Sequence, residues 1–232
     1  MRRAAGHSRP ARSPARHGPR AALTATDARR FAPATARNRA PILAVLERVL
    51  PARGLVLEIA SGTGEHAAAF AAALPSLAFQ PSDSDPEALT SIEAWRGHSG
   101  LANLRAALTL DVHAWPWPLP AAPDAILCIN MIHIAPWSAC LALCDGAAAA
   151  LAPGAPLVLY GPYREGGAHT APSNASFDAS LRERDPRWGV RDLEAVAAEA
   201  AARGLDLEEV VAMPANNRTL VLRRRGAAAA GH

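Results

Sequence analysis

Residues 55–66, Leu-Val-Leu-Glu-Ile-Ala-Ser-Gly-Thr-Gly-Glu-His, constrain the fold more than any other part of the chain. A short apolar run broken only by Glu58 leads into glycines at 62 and 64, and an alanine-rich stretch over 65–74 follows. Apolar runs of this length read as strands and alanine-rich stretches as helices, so the segment predicts a strand, a tight turn and a helix. The pattern then recurs. Residues 77–80 predict a second strand ended by Asp83, and Asp85-Pro86 supplies an N-cap and first-turn proline for a helix carrying Leu89, Ile92 and Trp95. Residues 104–110 read as a third strand ending at Asp111, and 125–134 as a buried fourth strand leading into a helix over 136–151. Residues 157–160 read as the fifth strand. Before them all, Ile42, Val45, Leu46, Val49 and Leu50 recur at helical spacing from Pro41. A long loop over 161–176 leads to helical segments around Leu181 and over 192–203, and runs at 205–213 and 219–222 predict an antiparallel hairpin. The fold expected is α/β, a doubly wound Rossmann-like sheet, mostly parallel and closed by a C-terminal antiparallel hairpin. Ligands bind such sheets beyond the carboxyl ends of the strands, at the topological switch point.

The charge distribution narrows the partners. The formal net charge is +3, but six arginines lie in the first 20 residues and all 21 acidic residues come after them. From residue 21 the balance is 18 minus 21, or −3, so the body offers no field that would gather nucleic acid or an acidic membrane surface. Residues 1–25 hold too few large apolar groups to offset the entropy of ordering, and are expected to be a disordered Arg/Ala/Pro-rich tail. An organellar transit peptide and a misassigned start are the alternatives, although Pro10, Pro14 and Pro19 interrupt the helix that such a peptide needs. Residues 26–225 are expected to form a single domain and 226–232 a second disordered tail. Three cysteines cannot frame a chain of 232 residues with disulfides, which favours a cytoplasmic setting, and no apolar run is long enough for a membrane span. Cys140 and Cys144 stand four apart, but nothing completes a metal site, so no metal is expected.

Glycines at 62 and 64 let a ligand approach bare backbone at a helix start, although a tight turn also wants glycine for structural reasons alone. Gly62-x-Gly64-x-x-Ala67 with Asp83 some 20 residues on also satisfies a dinucleotide fingerprint. Against that, Glu58 puts a carboxylate where a pyrophosphate would lie, whereas it would attract a cofactor carrying an ammonium and a sulfonium. Asp83, ending the second strand, can accept both ribose hydroxyls. Asp111, ending the third, can take the adenine amino group while Val112 packs on the ring. Asp85 is read as a helix cap, and His66 as a capping or solvent-facing residue.

Residues 151–159, Leu-x-Pro-Gly-x-x-Leu-Val-Leu, resemble the helix-to-fifth-strand signature of class I methyltransferases. More narrowly, the chain resembles the family known as domain of unknown function 938, which includes the methyltransferase-like 26 proteins. The matching runs are Arg37-Asn38 with Pro41-Ile42-Leu43, residues 58–66, Gln80-Pro81-Ser82-Asp83, Asn130-Met131-Ile132-His133-Ile134 with Pro136-Trp137, Tyr160-Gly161-Pro162-Tyr163, Trp188-Gly189-Val190-Arg191-Asp192 and Asn216-Asn217. They span residues 30–225. The resemblance implies a seven-stranded methyltransferase sheet and S-adenosylmethionine as cofactor, and it implies no substrate. Ala60 stands where broader class I enzymes often carry a glycine, as is usual in this family.

Methyl transfer from a sulfonium is an in-line displacement in which positioning carries much of the catalysis. In this fold the segment after the fourth strand lies beside the methyl group. Asn130 is therefore the candidate orienting amide, also touching cofactor, and His133 the candidate base, with a core histidine as the alternative. Tyr160, with Tyr163 and Arg164, could shape the acceptor pocket, and the loop through His169 and Ser173-Asn174 could close over it. Arg37 could hold the cofactor's carboxylate or be a solvated helix-end arginine. The function expected is S-adenosylmethionine-dependent methyl transfer to a small-molecule acceptor. The rivals are a non-catalytic S-adenosylmethionine-binding protein and a protein or peptide methyltransferase. Oligomeric state is not legible.

Overall fold

A computed structural model describes residues 27–226, so the two expected tails lie outside the described residues apart from Gly226. In chain order the elements are α1 (Pro33–Val49), β1 (Gly54–Ile59), α2 (Glu65–Ala73), β2 (Leu77–Asp83), α3 (Pro86–Ser99), β3 (Leu108–Thr109), β4 (Ala125–Ile129), α4 (Trp137–Ala150), β5 (Pro156–Glu165), β6 (Ala168–His169), α5 (Pro172–Arg184), β7 (Arg191–Asp192), α6 (Leu193–Ala202), β8 (Leu205–Met213) and β9 (Asn217–Arg224). The main sheet runs β3-β2-β1-β4-β5-β9-β8, seven strands, with the short β6 and β7 paired on β5. The first five strands of that order are parallel, and β9 and β8 close the sheet antiparallel.

Both faces are covered, which is why the central strands are apolar throughout rather than alternating. Val56, Phe79, Leu127 and Val158 face Ile42 and Leu46 of α1 and Phe70 of α2. Leu57, Ile59, Ile126 and Leu159 face Leu143 of α4 and Val196 of α6. Strand order reverses about β1, so the β1 and β4 carboxyl ends open the crevice in which ligands are expected. None of the described helices is long and apolar enough to cross a membrane.

Several boundaries differ from those read in the sequence. Helix α1 starts at Pro33, with Pro41 inside it, because Thr35, Asn38, Ile42 and Val45 already form one buried stripe. The third strand shrinks to Leu108–Thr109 beyond an isolated bridge between Phe79 and Leu104. There the Gln80 side chain donates to the Ala106 carbonyl at 2.6 Å, an acceptor that a longer ladder would use. β4 ends at Ile129 rather than 134, because Asn130 takes a left-handed φ of 62° and starts a 3-10 turn over Met131–His133. The expected loop over 161–176 is ordered backbone: β5 continues to Glu165, turns through Gly166 and Gly167 into β6, and α5 follows.

Asp85 caps α3 by accepting from the Glu87 N–H at 3.0 Å, as its position before Pro86 suggested. Replacing it with alanine is expected to cost about 1 kcal/mol, seen as a lower urea midpoint at unchanged slope.

Candidate cofactor cavity

After β1 the chain must turn tightly to enter α2. Ala60 adopts φ 54°, Gly62 58° and Gly64 85°. For Ala60 this is costly backbone that surrounding contacts must hold in place. They do so through an interlocked set of hydrogen bonds. The Ser61 N–H donates to the Ser82 carbonyl at 2.8 Å, the Ser82 hydroxyl to the Glu58 carbonyl at 2.7 Å, and the Ser91 hydroxyl to the Thr63 carbonyl at 2.7 Å. Asp83 accepts the Gly62 N–H at 2.9 Å on one oxygen and the Asp85 N–H at 3.0 Å on the other. The acid ending β2 is thus tied to the glycine turn.

A cavity of about 300 Å³ opens over this turn. Ala60, Gly62, Asp83, Asp111 and Val112, five residues named from the sequence, all line it. Its apolar walls come from Ile59, Leu110, Ile129, Met131, Ile134 and Pro136. Asp111 accepts the backbone N–H of His113 at 3.0 Å and meets its Nδ1 at 3.1 Å, and these bonds hold its carboxyl below the usual range. Val112 is fixed by Trp117, whose indole N–H donates to its carbonyl at 3.2 Å. Sequence reasoning missed His113, which lines the cavity and whose Nε2 meets the Ser138 hydroxyl at 3.1 Å. Only its spacing of two residues from Asp111 could have signalled it.

Glu58 and Gly64 lie beneath the cavity rather than on its surface. Glu58 is 2% exposed, and its Oε2 has no hydrogen-bond partner among the described residues. Burial pushes its carboxyl up to about 7, and the nearby charge of Asp83 adds to the effect. Gly64 packs its backbone against Ile92 of α3.

Asn130 ends β4 with its N–H on the Tyr160 carbonyl at 2.8 Å, between the lining residues Ile129 and Met131. The other two residues expected to carry chemistry sit elsewhere. His133 is fully buried and absent from the cavity lining, so of the two readings, base beside the reacting group or core histidine, its position fits the core histidine. The left-handed turn at Asn130 swings it inward, edge-on to Tyr163 at 5.0 Å between ring centroids. Its Nδ1 accepts the Arg191 N–H at 3.3 Å, and burial, with Arg191 nearby, holds its pKa down to about 3. Gly161 makes room for the ring, since a Cβ there would stand 2.4 Å from His133 Nε2 and 3.2 Å from Asn130 Oδ1. Replacing Gly161 with alanine is expected to displace both side chains and cost about 1–3 kcal/mol, read as a lower melting temperature.

Tyr160 and Arg37 line a second, smaller cavity of about 170 Å³ with Asn38 and Asn217, sharing no lining residue with the first. Arg37 is there because α1 begins at Pro33 and packs on α2 and β9. His66 is buried rather than capping or solvent-facing. Its Nε2 meets Asn38 Oδ1 at 2.8 Å, its ring stacks on Phe70, and burial takes its pKa down to about 4. The three cysteines are all buried in the core.

A family model described as protein of unknown function, DUF938, matches residues 29–224. Among solved structures, the chain is similar to an O-methyltransferase family protein from Burkholderia thailandensis, with TM-score 0.71 and 16% identity over 84% of this chain and 58% of that one. It is similar to human N-acetylserotonin methyltransferase in complex with SAM, with TM-score 0.70 and 13% identity over 83% of this chain and 53% of the other. A third is an O-methyltransferase family 2 protein from Planctomyces limnophilus in complex with apigenin, with TM-score 0.68 and 20% identity over 82% of this chain and 59% of the other. At these identities the likeness establishes a class I methyltransferase fold, and the chain spans a little over half the length of the structures it matches.

Proposed function

The chain belongs to the DUF938 family, and we propose that it binds S-adenosylmethionine in the larger cavity and transfers its methyl group to a small-molecule acceptor. The observation that carries the reading is one cavity in which a bare glycine turn meets the strand-end acids Asp83 and Asp111, above the buried carboxyl of Glu58, whose Oε2 has no partner among the described residues. That donor set fits the cofactor: anionic and acceptor-rich where hydroxyls, an amino group and positive charge would lie, and apolar where a purine would pack. Asp83 would take ribose hydroxyls, Asp111 the adenine amino group and Val112 a ring face. Ala60 and Gly62 would present backbone, Gly64 would hold the turn against α3, and Glu58 would supply negative potential from below. Bound there, S-adenosylmethionine supplies a methyl group on a cationic sulfur. Asn130, beside the cavity at the end of β4, would orient the nucleophile through its amide. His133, buried and neutral, would act through packing rather than as a base. The Planctomyces limnophilus protein of this fold is in complex with apigenin and human N-acetylserotonin methyltransferase in complex with SAM, which supports S-adenosylmethionine as cofactor and a small molecule as acceptor.

Saturation with S-adenosylmethionine at ~100 times its dissociation constant is expected to add about 2.7 kcal/mol of stability. No melting shift with it or with S-adenosylhomocysteine would overturn the reading. Incubation with labelled cofactor and size-fractionated cell extract tests transfer. Label should enter the small-molecule fraction, and Asn130→Ala should slow it about tenfold, the equivalent of about one hydrogen bond. Cofactor binding without any transfer favours the non-catalytic alternative, and label in large species favours a protein acceptor.

A further inference from the structure

The second cavity gathers two sequence runs that the cofactor site leaves unused, Arg37-Asn38 and Asn216-Asn217. Its lining is Arg37, Asn38, Tyr160 and Asn217 with Ala34, Pro214 and Ala215, and contains no carboxylate. Hydrogen bonding fixes the polarity of these groups. His66 Nε2 must donate to Asn38, because an amide Oδ1 only accepts. Asn217 Nδ2 donates to the Tyr160 oxygen at 3.0 Å, and Asn38 lines the cavity beside it. With that amide aimed at the oxygen, the phenolic O–H is left to donate, and among the described residues no acceptor takes it. Tyr160 is 2% exposed, so that unspent donor is buried at the cavity wall. Arg37 adds a guanidinium that makes no ion pair or hydrogen bond among the described residues.

A cavity lined by donors and a cation, without an acid, selects a ligand that is anionic and accepts hydrogen bonds. A carboxylate suits a planar guanidinium beside a phenol. Placement supports the same assignment. Tyr160 pairs with Ile129 in register, and Ile129 lines the cofactor cavity, so the two cavities flank the β4 carboxyl end. The second lies on the β5 and β9 side, two strands or ~10 Å from β1 and away from Asp83 and Asp111. We infer that this cavity binds a small carboxylate-bearing molecule, gripped by Arg37 and the Tyr160 hydroxyl, and that this carboxylate is the handle by which the methyl acceptor is held. The second half of the inference rests on the proposed methyl transfer, and the first does not.

Calorimetric titration separates the two. S-Adenosylhomocysteine is titrated first, and then benzoate, 4-hydroxybenzoate and hexanoate, with their primary amides and phenyl phosphate, into protein with and without it. At least one acid should bind, and its amide at least tenfold more weakly. Arg37→Gln should weaken that acid at least tenfold and Tyr160→Phe severalfold, with S-adenosylhomocysteine affinity unchanged in both. Arg37 is exposed, so its variant tests the site without risk to the core. Binding of no acid, equal binding of acid and amide, or tighter binding of phenyl phosphate than of benzoate would overturn the carboxylate assignment. So would an Arg37→Gln variant that loses S-adenosylhomocysteine instead, because Arg37 would then hold the cofactor's own carboxylate. If S-adenosylhomocysteine fails to bind while an acid still binds through Arg37, the methyl-transfer reading falls and the carboxylate site stands.

Discussion

Alanine at Gly64 is expected to destabilise the protein by about 2–5 kcal/mol, whereas alanine at Gly62 should cost about 1–2 kcal/mol and still abolish cofactor binding. Both residues have positive φ, 85° and 58°, so both substitutions carry the ~1–2 kcal/mol cost of a left-handed non-glycine residue. Their surroundings differ. A Cβ on Gly64 would stand 2.8 Å from the Ile92 Cα, a backbone atom of α3 that cannot swing aside, which adds an overpacking cost of ~1–3 kcal/mol. A Cβ on Gly62 meets nothing within 4 Å and enters the cavity that the residue lines. Urea denaturation of the two variants, with S-adenosylhomocysteine titration of whichever remains folded, checks the pair. A Gly62→Ala protein that binds as tightly as wild type would show that the ligand does not approach this turn. A Gly64→Ala protein as stable as wild type would show that α2 and α3 are free to part.

The contrast between these glycines is not visible in the sequence, where Gly-Thr-Gly reads as one motif. What was legible is whatever strand ends dictate. In a doubly wound sheet the residues just past β1, β2 and β3 must meet at one edge, so Gly62, Asp83, Asp111 and Val112 could be assigned to a single cavity from spacing and Ala60 from the family resemblance, and all five line it. What was not legible depends on backbone that departs from regular geometry. The single left-handed residue Asn130 turns His133 into the core, and no periodicity signals such a turn at an asparagine. Helix α1 begins two turns before its proline, which sets Arg37 over β5 and β9 rather than over the glycine turn. His66 shows the same limitation. Its place in the first turn of α2 suggested solvent, but α1 covers that turn and supplies Asn38 as its partner.

Glu58 should make the cofactor's affinity depend on pH, and its replacement by glutamine should change stability and binding in opposite directions. The carboxyl is buried and held up to about 7, against 4.5 for an ordinary glutamate. A carboxyl whose folded pKa is raised contributes stability in full below about 4.5, and loses it as pH rises through about 7, because the folded state must then hold an unpaired buried charge. The difference corresponds to about 3 kcal/mol at pH 8 and above. Glutamine stays neutral, so Glu58→Gln should match wild type below pH 5 and melt well above it at pH 8. A bound cation reverses the preference. It favours the ionised carboxyl, so wild-type affinity for S-adenosylmethionine should tighten by up to about tenfold per pH unit below 7 and level off above it. The Glu58→Gln variant should bind more weakly and without that slope. A site that gives up stability at working pH to hold a negative charge under its ligand shows the trade expected of function over fold. Calorimetric titration between pH 5.5 and 8.5, with melting scans over the same range, decides it. Equal melting of the two proteins at pH 8, or a wild-type affinity independent of pH, would remove Glu58 from the cofactor site.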